Sequence, residues 1–600
     1  MPVTPTYPGV YIEELPSGVH TITAVTTSVT AFAGYTPRGP VTPETLTSFA
    51  DFERTFGGLS PDSVLSYAVQ QFFLNGGTVA VVVRLTDNEA KNATVDVPDG
   101  GSATALHVTS KNPDAWSNTL RIATDVNTPV AKNFNLRVLD STGAVLESFT
   151  NLSMTSTDPG FADSVINPGS QLINVKAEGG EPPDPSGTVS KGFADPLPDL
   201  AKEITVTIDE TTSGQFLLYD SAKDGTEPTT MSGLAVLLEQ KIRRQGTAFG
   251  GVRVTAVGRT LQVVAGPDDT IHFGLAGASD LGLEGTVHPG AYPLAGGNSG
   301  GAPTGNDFIG NADDKTGLNA LRDVTDVNLL CLPDIAGPAY DDARVEILAA
   351  ADALCQDKRM FLIVDSPAGW ASLQNARTHL SDLDSVRSDH SALYFPQIRM
   401  TDPLSGQLRS FPPCGAVAGI MARTDGDRGV WKAPAGTAAG LTGAQALTVA
   451  LTDPENGLLN PLGVNCLRSF PIVGPVVWGA RTLQGADLLA SQWKYIPVRR
   501  TALMIEESLS RGTQWVVFEP NDETLWAQIR LNVGAFMQSL FKQGAFQGTS
   551  ARDAYFVKCD ATTTTQDDIN RGVVNIIVGF APLKPAEFVI IQIEQMAGQL

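Results

Sequence analysis

Two segments near the ends of this sequence constrain its architecture most, because each is apolar, strand-prone and lies beyond any plausible core. The first is Tyr7-Pro8-Gly9-Val10-Tyr11-Ile12-Glu13-Glu14, framed by Pro2, Pro5, Pro8 and Pro16. The second is Phe588-Val589-Ile590-Ile591-Gln592-Ile593-Glu594. Terminal segments fray unless a sheet holds them, and an apolar strand with unpaired backbone groups is a template for another chain. Two such arms predict a subunit that knits itself to its neighbours by strand addition. The pairing residues would be Val10, Tyr11 and Ile12 at one end, and Phe588, Val589, Ile590, Ile591 and Ile593 at the other.

A chain of 600 residues is too long for one core, so about three or four domains are expected. Residues 1–20 lack the basic start and apolar run of a signal peptide, and no apolar stretch reaches the roughly 20 residues of a membrane helix. The five cysteines are scattered and without CxxC spacing, which favours reduced thiols over disulfides or zinc. A formal charge of −23 argues against non-specific nucleic-acid binding. That charge is uneven. Residues 87–310 hold 14 basic against 27 acidic side chains, whereas 480–600 hold 11 against 12. A well-solvated outer domain and a densely contacted inner one would have this imbalance.

The fold class reads as α/β and multidomain: α/β core domains, an inserted β-rich domain, and extended strand arms at both ends. The expected division is an N-terminal arm (1–20), a core domain (21–86 with 300–480), the insertion (87–299), and a C-terminal α/β domain (481–600) whose last stretch, 581–600, is the second arm. In the core, Ile22–Phe32 and Val79–Arg84 read as strands, and the stretches Ser48–Gly58 and Ser63–Leu74 as helices stopped by glycine. After 305, strands at 328–332, 360–364 and 392–399 alternate with helices at 340–355 and 370–383, the pattern of a parallel sheet. Val473–Trp478 and Trp493–Val498 read as strands, and Thr501–Ser510 as a helix. The clearest helix spans 521–543. Asn521 or Asp522 caps it, Gly544 follows it, and Leu525, Ile529, Val533, Phe536 and Leu540 line one face. From 87 to 300, short β-prone runs alternate with Gly/Pro/Asp/Ser stretches, implying one or two β-rich domains.

No catalytic constellation emerges. Gly297-Asn298-Ser299-Gly300-Gly301 matches GxSxG, but a nucleophile elbow needs a preceding strand and a following helix, and glycines flank it instead. Asp389-His390 reads as a solvated pair, Asp425-Gly426-Asp427 as a turn, and Asp365-Ser366-Pro367 as the start of a helix after a strand. HExxH, P-loop and EF-hand patterns are absent. No cofactor or metal is expected, and an α/β fold alone does not supply an activity.

A set of motifs in one order resembles the contractile tail sheath proteins of phages and phage-like contractile injection systems. They are Tyr7–Glu14, Thr27–Phe32 through Arg38-Gly39-Pro40, Phe49–Gly58, and Asn75-Gly76-Gly77. Further along are Gly415–Gly419, Arg428–Pro434, Asn460–Asn465, Val477–Thr482, Trp515–Asp522 with the helix after it, and Gly544-Ala545-Phe546. The resemblance covers about 1–85 and 295–600; residues 87–294 carry none of it. It implies a helical homopolymer of stacked six-fold rings around an inner tube protein, with baseplate and terminal cap proteins as further partners, and no nucleic acid. On triggering, subunits move outward, the sheath shortens, and the tube is driven through a target membrane while the sheath itself inserts into none. The arms would keep the lattice linked, and the insertion would lie outside. The implied location is a virion tail or an extracellular injection particle assembled in the cytoplasm. Candidate basic contacts to an acidic tube are Arg499, Arg500, Arg511, Lys542 and Arg552. A non-contracting, shell-like polymer and a hydrolase remain as alternatives at this point, since arms fit a static lattice equally well.

Overall fold

The computed structural model describes residues 20–101, 103–590 and 592. They form two compact units. One comprises the chain up to Thr36, Thr42–Leu85 and the residues from Pro303 onward; the other comprises Pro37–Val41 and Thr86–Ala302.

The first unit is organised by an eight-stranded sheet. Its strands are β1 (Thr30–Gly34), β2 (Glu44–Leu46), β3 (Ala80–Arg84), β4 (Leu329–Cys331), β5 (Phe361–Asp365), β6 (Ser391–Phe395), β7 (Val464–Phe470) and β8 (Gly474–Val477). Their order is β2-β3-β1-β4-β5-β6-β7-β8. The inner strands are parallel, with Phe32 opposite Val82, Ala31 opposite Leu330, Leu330 opposite Leu362, Ile363 opposite Ala392 and Tyr394 opposite Asn465. Antiparallel β2 and β8 close the edges.

Parallel strands need cover on both faces, which is why their sequences read as continuous apolar runs. Ala80-Val81-Val82-Val83 and Phe361-Leu362-Ile363-Val364 are buried throughout. Alternation sorts these side chains into two cores. Ala31, Val81, Leu330, Leu362 and Leu393 pack with the apolar side of α3, while Phe32, Val82, Leu329, Phe361 and Tyr394 pack with α1, α2 and α4. These helices are α1 (Phe49–Phe56), α2 (Val64–Leu74), α3 (Arg344–Lys358) and α4 (Cys414–Arg428). Helices α2 and α4 meet backbone to backbone. A β-carbon at Gly415 would lie 2.0 Å from the Ala68 carbonyl oxygen, and one at Gly419 would lie 2.5 Å from that of Phe72. The spacing in Gly415-Ala416-Val417-Ala418-Gly419 is therefore a packing requirement.

The chain then forms α5 (Ile496–Gly512) and α6 (Glu523–Lys542). Asp522 caps α6 by accepting from the Leu525 amide. Leu525, Ile529, Val533, Phe536 and Leu540 are buried as their spacing predicts. Against this face lies an antiparallel ribbon of two strands, Tyr555–Lys558 and Ile577–Phe580.

Several elements differ from the sequence reading. The strand read over 22–32 begins only at Thr30; residues before it are held by side chains of α5 and α6 instead. The strand read at 493–498 is the start of α5, where Pro497 fits the first turn with its fixed φ and missing N–H. The 340–355 helix starts at Arg344, after short turns led by Pro333 and Pro338. The 392–399 stretch divides into β6 and a separate strand, Ile398–Thr401, around Pro396.

Among its described residues, the second unit contains two large apolar cores and a small cluster of Ala123, Leu139 and Ala291. One gathers Val97, Leu106, Val108, Ile122, Phe134, Leu136, Leu152 and Ile173 between small antiparallel sheets. The other gathers Ile204, Val206, Leu261, Val263 and Ile271 against the helix Met231–Arg243. Chain enters and leaves this unit side by side: Lys91 pairs with Asn298 and Thr94 with Ala295. Joining Lys91 to Asn298 through a short glycine linker should therefore leave the first unit folded. A cooperative melt and native-like circular dichroism are expected; a molten product would contradict this.

Candidate assembly interface

Open α/β sheets hold ligands at the carboxyl ends of their strands, where the winding reverses. Here that point lies between β1 and β4, and the protein fills it. Asp334, just after β4, accepts from the Tyr35 amide at 2.6 Å and the Leu65 amide at 3.2 Å. Gly34 is required beside it, since a β-carbon there would lie 2.4 Å from Asp334 Oδ2. Asp365, at the end of β5, accepts from the Cys414 amide at 2.8 Å in the first turn of α4. Each carboxylate thus occupies a helix N-terminus where a phosphate could otherwise sit. Burial pushes both carboxyls from 3.8 up to about 7, against the pull of their amide donors. Asp365 was expected to start a helix of its own, but it serves α4, and Ser372 caps the next helix.

The other candidate groups are structural too. Asn298 of the GxSxG stretch pairs with Lys91, and Ser299 Oγ accepts from the Ala115 amide at 3.0 Å. Asp425 lies within the last turns of α4, not in a free turn. His390 is buried rather than solvated. Its Nδ1 meets Asp389 at 2.8 Å and its Nε2 meets Arg499 Nη2 at 2.7 Å. A guanidinium only donates, so Nε2 accepts. Among the described residues, no cluster of three or more metal-ligating side chains occurs, and no helix is long and apolar enough to cross a membrane.

Five basic residues were candidates for tube contact. Arg499 lies inside the subunit, stacked on Trp493 at 4.8 Å and paired with Asp389 and Glu506. Arg500 is buried and bidentate on Asp425, at 2.6 and 3.0 Å. It also donates to the Thr27 carbonyl, whose hydroxyl donates back to Asp425. Both are therefore internal struts rather than surface groups. Arg511 is partly exposed and pairs with Glu507 and Asp326. Lys542 and Arg552 are exposed.

Both arm roots are clamped. On the N-terminal side, His20 stacks on Trp515 at 4.1 Å and its amide donates to Asn532. Ile22 is buried against Gly512, and the Val25 amide donates to Ser508. On the C-terminal side, the Glu587 carboxylate takes Nε and Nη2 of Arg481 at 2.8 and 2.7 Å and the Tyr495 hydroxyl at 3.2 Å. The Arg481 side chain is 1% exposed and Asn465 braces its backbone from both sides. Immediately beyond, Phe588, Val589 and Ile590 are 76%, 80% and 85% exposed. Val10, Tyr11, Ile12, Ile591 and Ile593 lie outside the described residues.

Residues 308–483 match the phage tail sheath protein central domain, and residues 490–596 match the phage tail sheath C-terminal domain. These two stretches are therefore phage tail sheath domains. The tail sheath protein of Burkholderia phage BcepMu is 28% identical over 248 residues, 40% of this chain and 51% of that protein. That of Vibrio phage KVP40 is 26% identical over 321 residues, 50% of this chain and 45% of that protein. The chain thus spans about half the length of these relatives. Two solved structures share the fold. The sheath of an extracellular contractile injection system in its contracted state gives a TM-score of 0.51 at 19% identity, covering 99% of this chain and 98% of that one. A sheath tail protein from Listeria innocua gives 0.51 at 12% identity, covering 94% and 96%.

Sequence reasoning picked out the Val477–Thr482 motif but gave Arg481 no role. Its partner lies 106 residues away, so no local spacing could reveal the pair. Two tests follow. An acid whose folded pKa is raised weakens the fold as it ionises, so stability should fall as pH rises from about 4 to 7. Asp365→Asn should make that fall shallower in urea titrations at each pH; an unchanged slope would exclude Asp365 as a source. Glu587→Gln strips the charge from the Arg481 clamp. It should lower stability by about 1–3 kcal/mol and speed hydrogen exchange of the amides at 583–588. Unaltered exchange there would show that the clamp does not hold the arm root.

Proposed function

We propose that this chain is the structural subunit of a contractile sheath. It polymerises as stacked six-fold rings around an inner tube, linked to a baseplate and a terminal cap, and its shortening drives the tube through a target membrane. The particle is a phage tail or an extracellular injection system assembled in the cytoplasm, and the role calls for no catalytic step.

The observation that carries this reading is the ribbon of Tyr555–Lys558 and Ile577–Phe580. It is a sheet of two strands only, so no other described strand pairs with its outer edges. Tyr555, Val557, Val578 and Phe580 pack toward α6, whereas Phe556 and Ile577 face outward and are 56% and 47% exposed. Two strands alone are marginally stable. Each hydrogen bond that an added strand makes is worth about 0.5–1.5 kcal/mol net. The Val10-Tyr11-Ile12 and Phe588–Ile593 arms of neighbouring subunits supply the missing strands, and the rigid clamps at His20 and Glu587 confine bending to the arms themselves. Lys542 and Arg552 face the tube, with Arg511 at the margin; Arg499 and Arg500 hold the subunit together.

Electron microscopy of the purified protein, alone and with its tube protein, tests this. Two lattices are expected, a long narrow one on the tube and a shorter, wider one without it. Deleting residues 1–15 should abolish both while leaving a folded monomer, and reversing Lys542 and Arg552 to glutamate should abolish only the tube-bound form. A single invariant lattice would favour a static shell, and tubes from the truncated chain would refute strand exchange.

A further inference from the structure

Beside the Arg481–Glu587 clamp lies a groove whose charge opposes that of the chain as a whole. The chain has a formal charge of −23, yet this groove, of about 1080 Å³, is walled by Arg428, Lys432, Arg468 and Lys584 and by the indoles of Trp431 and Trp478. Its two carboxylates are already paired, Asp453 with Arg468 and Glu587 with Arg481. No carboxylate among the described residues lies within ion-pair distance of Arg428, Lys432 or Lys584. Lys432 Nζ donates at 2.7 Å to the carbonyl of its own neighbour, Ala433. Burial, and then the Arg428 charge, push the Lys432 ammonium below its usual range. A partly desolvated cation crowded by a like charge gains when an anion arrives.

The sequence contains a complementary segment. Between residues 1 and 19 the only charged side chains are Glu13 and Glu14, directly after Val10-Tyr11-Ile12. The groove is also continuous with the open ribbon. Gln543, Gly544 and Leu583–Phe588 line it, and the Gln547 amide and the Ala581 carbonyl, bonded at 2.9 Å, join that end to the strand ending at Phe580. A strand pairing with the ribbon edge through Val10 and Ile12 can thus place the next two residues in the groove.

We propose that the groove receives the Glu13-Glu14 pair of a second copy of the chain, with Arg428, Lys432 and Lys584 as its counter-charges. The choice of a second copy rests on the strand-exchange reading above. The groove then sets the register of the incoming arm. A one-residue slip would turn its apolar side chains to the wrong face of the ribbon and would withdraw a carboxylate from the cations.

Full-length protein carrying Arg428→Glu and Lys432→Glu should yield at least about tenfold fewer pelletable tubes than wild type, and adding Glu13→Lys and Glu14→Lys should restore them to within about twofold. A second measurement does not depend on how the reversed groove folds. The variant with Glu14→Cys and Lys432→Cys, oxidised after assembly, should give a ladder of multimers on a denaturing gel; the five native cysteines are buried and stay out of the reaction. Tubes unaffected by groove reversal, reversal that the lysine arm does not rescue, or a cross-link confined to single chains would each overturn the proposal. A different acidic partner would appear as lost tubes without rescue. Wild-type protein that forms no tubes under any condition would bring down the sheath reading and this proposal together. Wild-type tubes indifferent to the groove would bring down the proposal alone.

Discussion

The architecture of the first unit depends on a buried carboxylate. Asp334, at the end of β4, joins the end of β1 and the first turn of α2, which lie 299 and 269 residues before it. A helix N-terminus leaves amides unsatisfied and carries partial positive charge, so a side-chain acceptor is a fitting plug. Asp365 repeats the arrangement for α4, and α2 and α4 then close on each other over Gly415 and Gly419. The two helix N-termini at the carboxyl ends of these strands are occupied by the chain's own carboxylates, and the sheet becomes a rigid body.

Rigidity extends to the points where the arms leave. The Arg500–Asp425–Thr27 set fixes the chain just before β1, and Arg481–Glu587 fixes it before the exposed Phe588. Buried ion pairs contribute little net stability, but losing one partner costs about 3–5 kcal/mol because a charge is stranded. Such pairs define geometry more than they strengthen a fold. An arm rooted this way leaves the subunit at a set point and direction, which a lattice linked by exchanged strands requires.

The parallel sheet and the long helix were legible because their signals are local. Continuous apolar runs such as Ala80–Val83 and Phe361–Val364 mark strands buried on both faces, and the stripe from Leu525 to Leu540 with its Asp522 cap marks one helix. What was not legible depends on distant contacts. Residues 493–498 carry strand-like side chains, yet Pro497 opens a helix there. Ile22 lies in a β-branched run, but Gly512 and Ser508 capture that segment before it can join the sheet. Arg499 and Arg500 look like surface cations until His390 and Asp425 arrive from 109 and 75 residues away. Sequence spacing cannot distinguish a cation paired across the fold from one facing solvent, whereas Lys542 and Arg552, without such a partner among the described residues, are exposed as their charge implies.

The ribbon on α6 gives this asymmetry an energetic meaning. A sheet of two strands offers its edge amides and carbonyls to water, and Phe556 and Ile577 add apolar surface that the subunit does not cover. In the proposed strand exchange, both deficits end when neighbouring strands arrive, and part of the stabilisation that a larger domain finds within its own chain is deferred to polymerisation. The added strand brings hydrogen bonds and apolar burial in one step, and the linkage persists through a rigid-body swing as long as the strand stays in place. On that proposal, subunits would change their arrangement without exposing the edge again, because the contact that moves, between rigid units, would differ from the contact that binds, between arm and ribbon.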